Sequence, residues 1–431
     1  MFSLFKRLTP IFLICLALIV VSCAPQEIEP TPAPTLRPTR TPIPTEEPTE
    51  TPFATEAPST PTPIIATPRA QTNAVPAPQI PGTDPLIPIF GSFPPLAIPA
   101  RPANINPITG LAADPAALLR RPVLIRIGND QRVREDFWQA GTNSADLVFE
   151  ELIDQIGSAY ANTRYTAVFL TNDAPLVGPI RSGRLINLQL APMFDGSMAH
   201  AGASNGTRWI FSQTPMINFD EFFNMPAYCY INSHGYQGRL YTTVARQRQW
   251  LVQKGLEKPV PLYGFQFSAA PTGNQLVKSV GLTKAPWPKW TAVEWKYDAS
   301  KQKYMRGVTG APLMDNSYSV TAKWGNGASC TPQSAESRTQ VSATNVIVLY
   351  AKHERTSIVE DSNNAFSVYI NLVGQGDLDI FRDGVRIHGK WMRNSVQEFF
   401  ELIDDAGHVI PLKPGNSWVE IVPTGYSLDL K

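Results

Sequence analysis

Apolar and polar positions alternate with different periods along this chain. Arg121–Asn129 (RPVLIRIGN) is a short apolar run ending in turn formers, as a buried strand requires. Ala145–Ile153 and Tyr165–Leu170 are further strands around the turn-prone Gly157–Thr163 stretch. Leu185–Phe194 changes to helical spacing, with Leu185, Leu188, Leu190 and Met193 apolar. Ala199–Ala203 reads as a strand before an Asn205-Gly206 turn, and Thr242–Lys254 as an amphipathic helix. Beyond Ala285 the pattern becomes one of short strands. Ala292–Tyr297 and Lys303–Arg306 flank a DASKQ turn. Asn345–Tyr350 and Phe366–Leu372 follow, and Leu378–Arg382 and Val385–Lys390 are joined by Asp383-Gly384, a strong hairpin signal. Phe399–Ile403 and Val409–Leu412 flank a third turn, and Ser417–Val422 ends the series. The expected class is α+β: a mixed α/β domain over 105–284, then a β-rich, barrel- or sandwich-like domain over 285–431.

The N-terminal part has no such periodicity. Lys6 and Arg7 precede the apolar run Ile11–Val21, which ends in Val20-Val21-Ser22-Cys23. A basic region, a short apolar core and a small-residue cysteine site predict a lipoprotein signal peptide over 1–23, with Cys23 lipidated by palmitate-type chains. An ordinary signal peptide or an uncleaved anchor is the alternative. Residues 24–104 hold 22 of the 41 prolines of this 431-residue chain, in Pro-Thr repeats. Proline fixes φ and removes a donor, so this segment is expected to be a disordered, extended tether reaching at most roughly 250 Å. Together these features place the folded part at the extracytoplasmic face of a bacterial membrane, held there by lipid.

Charge removes one class of partner. There are 37 Lys and Arg against 36 Asp and Glu, without the basic excess of a nucleic-acid binder. The five histidines are scattered and no CxxC or HxxxH spacing occurs, so neither a metal site nor a cofactor is expected. Cys229 and Cys330 remain after the leader cysteines are set aside. In an exported protein they either pair, closing a loop worth about 4–5 kcal/mol, or stay as buried thiols.

The densest polar cluster is Gly178-Pro179-Ile180-Arg181-Ser182-Gly183-Arg184. Arg181, Ser182 and Arg184 before a helix would suit a carboxylate or phosphate; alternatively the arginines pair with Asp146, Glu150 or Glu151. His200 and Ser204 follow, a base and a nucleophile if a third group orients them. His234, on a predicted loop, completes the candidate ligand-binding set. Trp287, Trp290, Trp295, Trp324, Trp391 and Trp418 are read as core, with Trp391 or Trp418 as a surface platform for sugar rings in the alternative.

NPITGL (Asn106–Leu111), RPVLIRIGN, ADLVFEELI (Ala145–Ile153), RYTAVFL (Arg164–Leu170), GPIRSGR, HAGAS, FRDGVRIHGKW (Phe381–Trp391) and PGNSWVEIVP (Pro414–Pro423) occur in that order. This ordered set resembles the YerB-like bacterial lipoprotein family, a domain of unknown function with a distinct C-terminal domain. The resemblance covers most of 106–431 and implies a two-domain envelope lipoprotein; it implies no catalytic activity. Two stretches depart from the family pattern: Ser233–Thr243 puts extra residues after His234, and Ser317–Ser342 looks long. The expected function is a non-catalytic ligand- or protein-binding module at the cell surface or wall, with a cell-wall or envelope-protein partner and a role in envelope assembly. The alternative is an envelope hydrolase or transferase using His200 and Ser204, with Arg181 and Arg184 on an anionic substrate.

Overall fold

The RPVLIRIGN run forms β1 (Val123–Gly128), buried along its whole length because it has neighbours on both edges and layers on both faces. β2 (Leu147–Asp154) pairs antiparallel with β3 (Asn162–Phe169), and β3 with β1. β4 (Ser197–His200) and β5 (Ile217–Asp220) continue the sheet parallel to β1. Alternate residues of β1 enter different cores. Val123, Ile125 and Ile127 face one, and Leu124 the other, which explains why the run is apolar without alternation. This computed structural model describes residues 100–431 apart from 138, 155, 158–160, 271, 272, 274, 326 and 334–336. The expected leader 1–23 with Cys23, and the tether but for its last residues, lie outside the described residues.

The β-rich half is built as its turns demand. Val293–Asp298 and Lys303–Val308 form an antiparallel hairpin. Gly374–Arg382 and Val385–Arg393 form another, with Asp383 and Gly384 at φ 54° and 77°. Those left-handed values give a turn whose twist matches the flanking strands. The last long strand, Ser417–Pro423, lies parallel to both Asn345–Val359 and β2, between them. Residues from both halves of the chain thereby share one 12-stranded sheet. Phe366–Asn371 pairs with Asn345–Val359 and, at Ser367, with Asp154 of β2, closing a small barrel. The fold is α+β with a β-rich C-terminal part.

A buried charge joins the halves. Arg306 is fully enclosed and pairs with Glu150 of β2 and, at 2.7 Å, with Glu420 of the closing strand. Its guanidinium also lies over the rings of Trp418 (4.5 Å), Trp295 (5.1 Å) and Tyr165 (5.6 Å).

One expectation changes: Asn205–Ser212 is a helix, not the end of a turn, and Ser204 caps it by accepting from the Thr207 N–H. Trp391 and Trp418 are both buried, as the core reading expects, and the alternative of a platform for sugars falls. Trp391 donates to the Tyr350 carbonyl, and Trp418 packs edge-on against Tyr165 and Trp295. The long stretch before Ser342 contains a hairpin, Val320–Lys323 with Ser329–Pro332. Cys330 on that hairpin is disulfide-bonded to Cys229, 101 residues earlier.

Candidate functional site

The parallel strands β1, β4 and β5 end side by side. In open α/β sheets, ligands bind beyond the carboxyl ends of such strands. Three loops emerge there: Gly128–Asp130 after β1, Ala201–Ser204 after β4, and Glu221–Asn224 after β5. The 181–184 loop is stitched among them. The Arg181 N–H donates to the Arg126 carbonyl, Gly183 N–H to Gly202, and Ala201 N–H to Arg181. Gly183 has to be glycine, because an added Cβ would lie 2.8 Å from the Phe211 ring and 3.1 Å from the His200 Nδ1.

This stitching decides what the predicted residues can do. The N–H groups of Arg181, Gly183 and Arg184 are all consumed, the last by the Asn187 side chain, so the loop offers no cradle of free donors. Arg184 is buried, facing Asp154 at 3.4 Å and Glu360 at 3.5 Å. The Ser182 carbonyl accepts from Arg164. Behind them Arg126 is fully enclosed and pairs with Glu151. Desolvation holds the Glu151 carboxyl up at about 7 against the pull of Arg126. The Arg164 guanidinium is pushed well below its ordinary value by burial and by Arg184, Arg181 and Arg126 around it. The arginines therefore belong to a charge network, but its acids are Asp130, Glu151, Asp154 and Glu360. Neither Arg181 nor Arg184 has an ion pair with Asp146, Glu150 or Glu151. Asp146 instead accepts from Asn106, Leu170 and Thr171.

Arg181 differs from the rest. Its side chain is 20% exposed and its Nε lies 3.7 Å from Asp130, at the rim of the network.

His200 and Ser204 do not form a dyad. His200 is wholly buried; its Nδ1 donates to the Gly202 carbonyl at 2.8 Å and its Nε2 lies 2.5 Å from the Asn218 amide. Burial lowers its affinity for a proton. The Ser204 hydroxyl is occupied as a helix cap. His234 lies near the Gly238 carbonyl and the Tyr241 hydroxyl and stacks on Phe137, pinning the 231–239 loop. Among the described residues no group of three or more metal-ligating side chains forms.

Next to Arg181 lies a surface that sequence reasoning missed. Phe222 and Phe223, just beyond β5, are 71% and 69% exposed, Tyr236 is 82% exposed and Trp209 48%. Arg208 pairs with Asp220 at 2.7 Å and stands over both phenylalanine rings. Arg239 lies 4.8 Å over Tyr230 and 5.2 Å over Tyr236. The Tyr230 hydroxyl donates to Glu221, linking the two groups of rings. The legible signal was the pair Phe222-Phe223 among polar residues (DEFFN), which fits neither strand nor helix period.

Two family models match the chain, the N-terminal domain of a protein of unknown function (DUF3048) over residues 108–257 and its C-terminal domain over 283–419. A Bacillus subtilis (strain 168) protein named "Putative lipoprotein YerB" is 25% identical over 334 residues, covering 74% of this chain and 86% of that one. The crystal structure of YerB from Bacillus subtilis superposes with a TM-score of 0.57 at 22% identity, covering 76% of this chain and 99% of that one. That likeness extends to the fold. With both domain models matched in order over roughly two thirds of its length, the chain belongs to the DUF3048, or YerB-like, family of two-domain proteins of unknown function.

Proposed function

We propose that this protein is a lipid-anchored binding module of the cell envelope, without catalysis, which presents the edge beyond β1, β4 and β5 to an anionic partner. The observation that carries the reading is the division of labour at that edge. His200 and Ser204 are committed to the fold, while the aromatic surface around Arg239 faces solvent and Arg181, 20% exposed, lies at its rim. The anchor rests on the lipobox at Cys23 and on the similarity to a protein named as a lipoprotein. An acylated Cys23 with several chains would hold the protein stably at a bilayer, where one chain is marginal. The proline-rich segment would then carry the folded part away from the membrane, toward wall or envelope-protein partners.

The hydrolase alternative requires the His200 ring within hydrogen-bond reach of a nucleophile, and both of its nitrogens have other partners. The test uses the full chain in detergent with isolated envelope fragments, read by co-sedimentation and thermal shift. Arg181→Ala/Arg239→Ala should abolish binding, and Ser204→Ala should leave it intact. Binding unaffected by the arginine changes would overturn the proposed edge. Growth with labelled palmitate tests the anchor: label in the wild type and none in Cys23→Ala is expected, and an unlabelled wild type refutes it.

A further inference from the structure

The rings beside Arg181 are costly to leave in water. Folded monomers keep large apolar patches small unless something covers them, yet Phe222, Phe223 and Tyr236 are exposed on two loops joined by the Tyr230–Glu221 hydrogen bond. They are also held in place. Phe222 and Phe223 stand edge to face at 5.0 Å, and the Phe222 N–H donates to the Asp220 carboxylate. Arg208 bridges Asp220 to both rings. The 231–239 loop is fixed from beneath by the buried His234 and by Phe137, which fills the space a Cβ at Gly238 would need.

The charges on this surface are unequal in kind. Arg181 faces Asp130 and Arg208 is paired with Asp220. Arg239 has no ion pair among the described residues; its guanidinium is held between two tyrosine rings. Glu221, the nearest acid across Tyr230, accepts the tyrosine hydroxyl. A guanidinium stacked on aromatic faces keeps its edge donors directed outward, as a fork that matches a carboxylate. The surface thus combines a guanidinium without an ion pair among the described residues with exposed aromatic rings.

Building on the binding role proposed above, we infer that this surface binds a carboxylate-bearing glycan strand: Arg239 takes a carboxylate, and Phe222, Phe223 and Tyr236 stack on sugar faces. An acidic peptide engages an arginine through its carboxylates alone and leaves the exposed rings without a partner. Exposed aromatic rings beside one guanidinium match a saccharide, whose C–H faces are apolar and whose rim is polar.

The test uses the full chain in detergent and isothermal titration with four probes. Two are acidic glycans: wall glycan strands stripped of peptide, so that their lactyl carboxylates are free, and an oligomer of uronic acid and N-acetylglucosamine. The third is a neutral N-acetylglucosamine oligomer, and the fourth an octapeptide of glutamate. At least one acidic glycan should bind about tenfold or more tighter than the neutral one, the scale of one charge-assisted hydrogen-bonded pair. Arg239→Ala should remove that preference and Arg239→Lys should restore only part of it, whereas Phe222→Ala/Phe223→Ala should weaken acidic and neutral glycans alike. Binding of the glutamate peptide but of no glycan would overturn the glycan and leave the anion-binding edge standing. Envelope fragments bound independently of Arg181 and Arg239, with no probe bound, would overturn both.

Discussion

Replacing Arg306 by methionine isolates the charge that joins the two halves. The guanidinium is fully enclosed, contacts two carboxylates and lies over three aromatic rings. Methionine keeps most of the stem but leaves Glu150 and Glu420 buried without their cation. Breaking a buried pair in this way costs about 3–5 kcal/mol, because the surviving charge is neither solvated nor paired. Burial already holds the Glu150 carboxyl well above its ordinary range, with Arg306 as the chief opposing influence. Removing Arg306 raises it further, so folded Glu150 takes a proton that the unfolded chain releases. The loss should therefore be largest at pH 8 and shrink as pH falls toward the unfolded carboxylate value near 4.5. A triple variant, Glu150→Gln/Arg306→Met/Glu420→Gln, should recover most of the loss. Its glutamine oxygens still accept from Asn129, Thr163 and Trp295, the present donors to Glu150 and Glu420. Urea unfolding followed by tryptophan fluorescence reads the change directly, since Trp295 and Trp418 flank the site. A loss under about 1 kcal/mol at pH 8, independent of pH and unrelieved in the triple variant, would refute the reasoning.

Other perturbations have distinct signatures. Glu151 sits at about 7 when folded and near 4.5 when unfolded. Its contribution to stability is thus full below pH 4.5, falls by up to about 3 kcal/mol as pH rises to 7, and is flat above; urea midpoints from pH 4 to 8 should show this slope, and Glu151→Gln should lose it. Cys229→Ala/Cys330→Ala reopens a loop spanning 101 residues and should cost about 4–5 kcal/mol in the chain-entropy account, read as a lower denaturation midpoint with unchanged fluorescence of the folded state. Arg184→Ala strands Asp154 and Glu360 in the interior and should cost about 3 kcal/mol or more, whereas Arg181→Ala, at the rim, should cost under about 1 kcal/mol; equal losses would place Arg181 inside the network. Ser204→Ala removes a helix cap and should cost about 1 kcal/mol, measured as the same shift with and without envelope fragments.

Much of the fold is written locally. The continuous apolar run of β1 declares a strand covered on both faces, and Asp383-Gly384 can adopt the left-handed turn that joins its hairpin. The Leu185–Phe194 spacing marks the helix found at Asn187–Met193. The cysteine signal read at Cys23 and the proline-rich segment are local as well, since those readings depend on residue type and order alone. What only the tertiary structure decided is long-range. Ser417–Pro423 inserts beside β2, about 270 residues earlier in the chain, and no local period encodes a parallel partner. The same insertion brings Arg306, Glu150 and Glu420 together. At the candidate site, residues that the sequence groups together fall into different surroundings. Arg181 and Arg184, three residues apart, look alike in the chain, but one lies at a solvent rim and the other between two buried acids. His200 and Ser204 look like chemistry until the turn after β4 engages one and the following helix the other. Arg239 looks ordinary until the β5 loop and the 231–239 loop meet through Tyr230 and Glu221. Sequence names the groups; burial and the choice of partner, which depend on segments far apart in the chain, decide which of them remain available to a ligand.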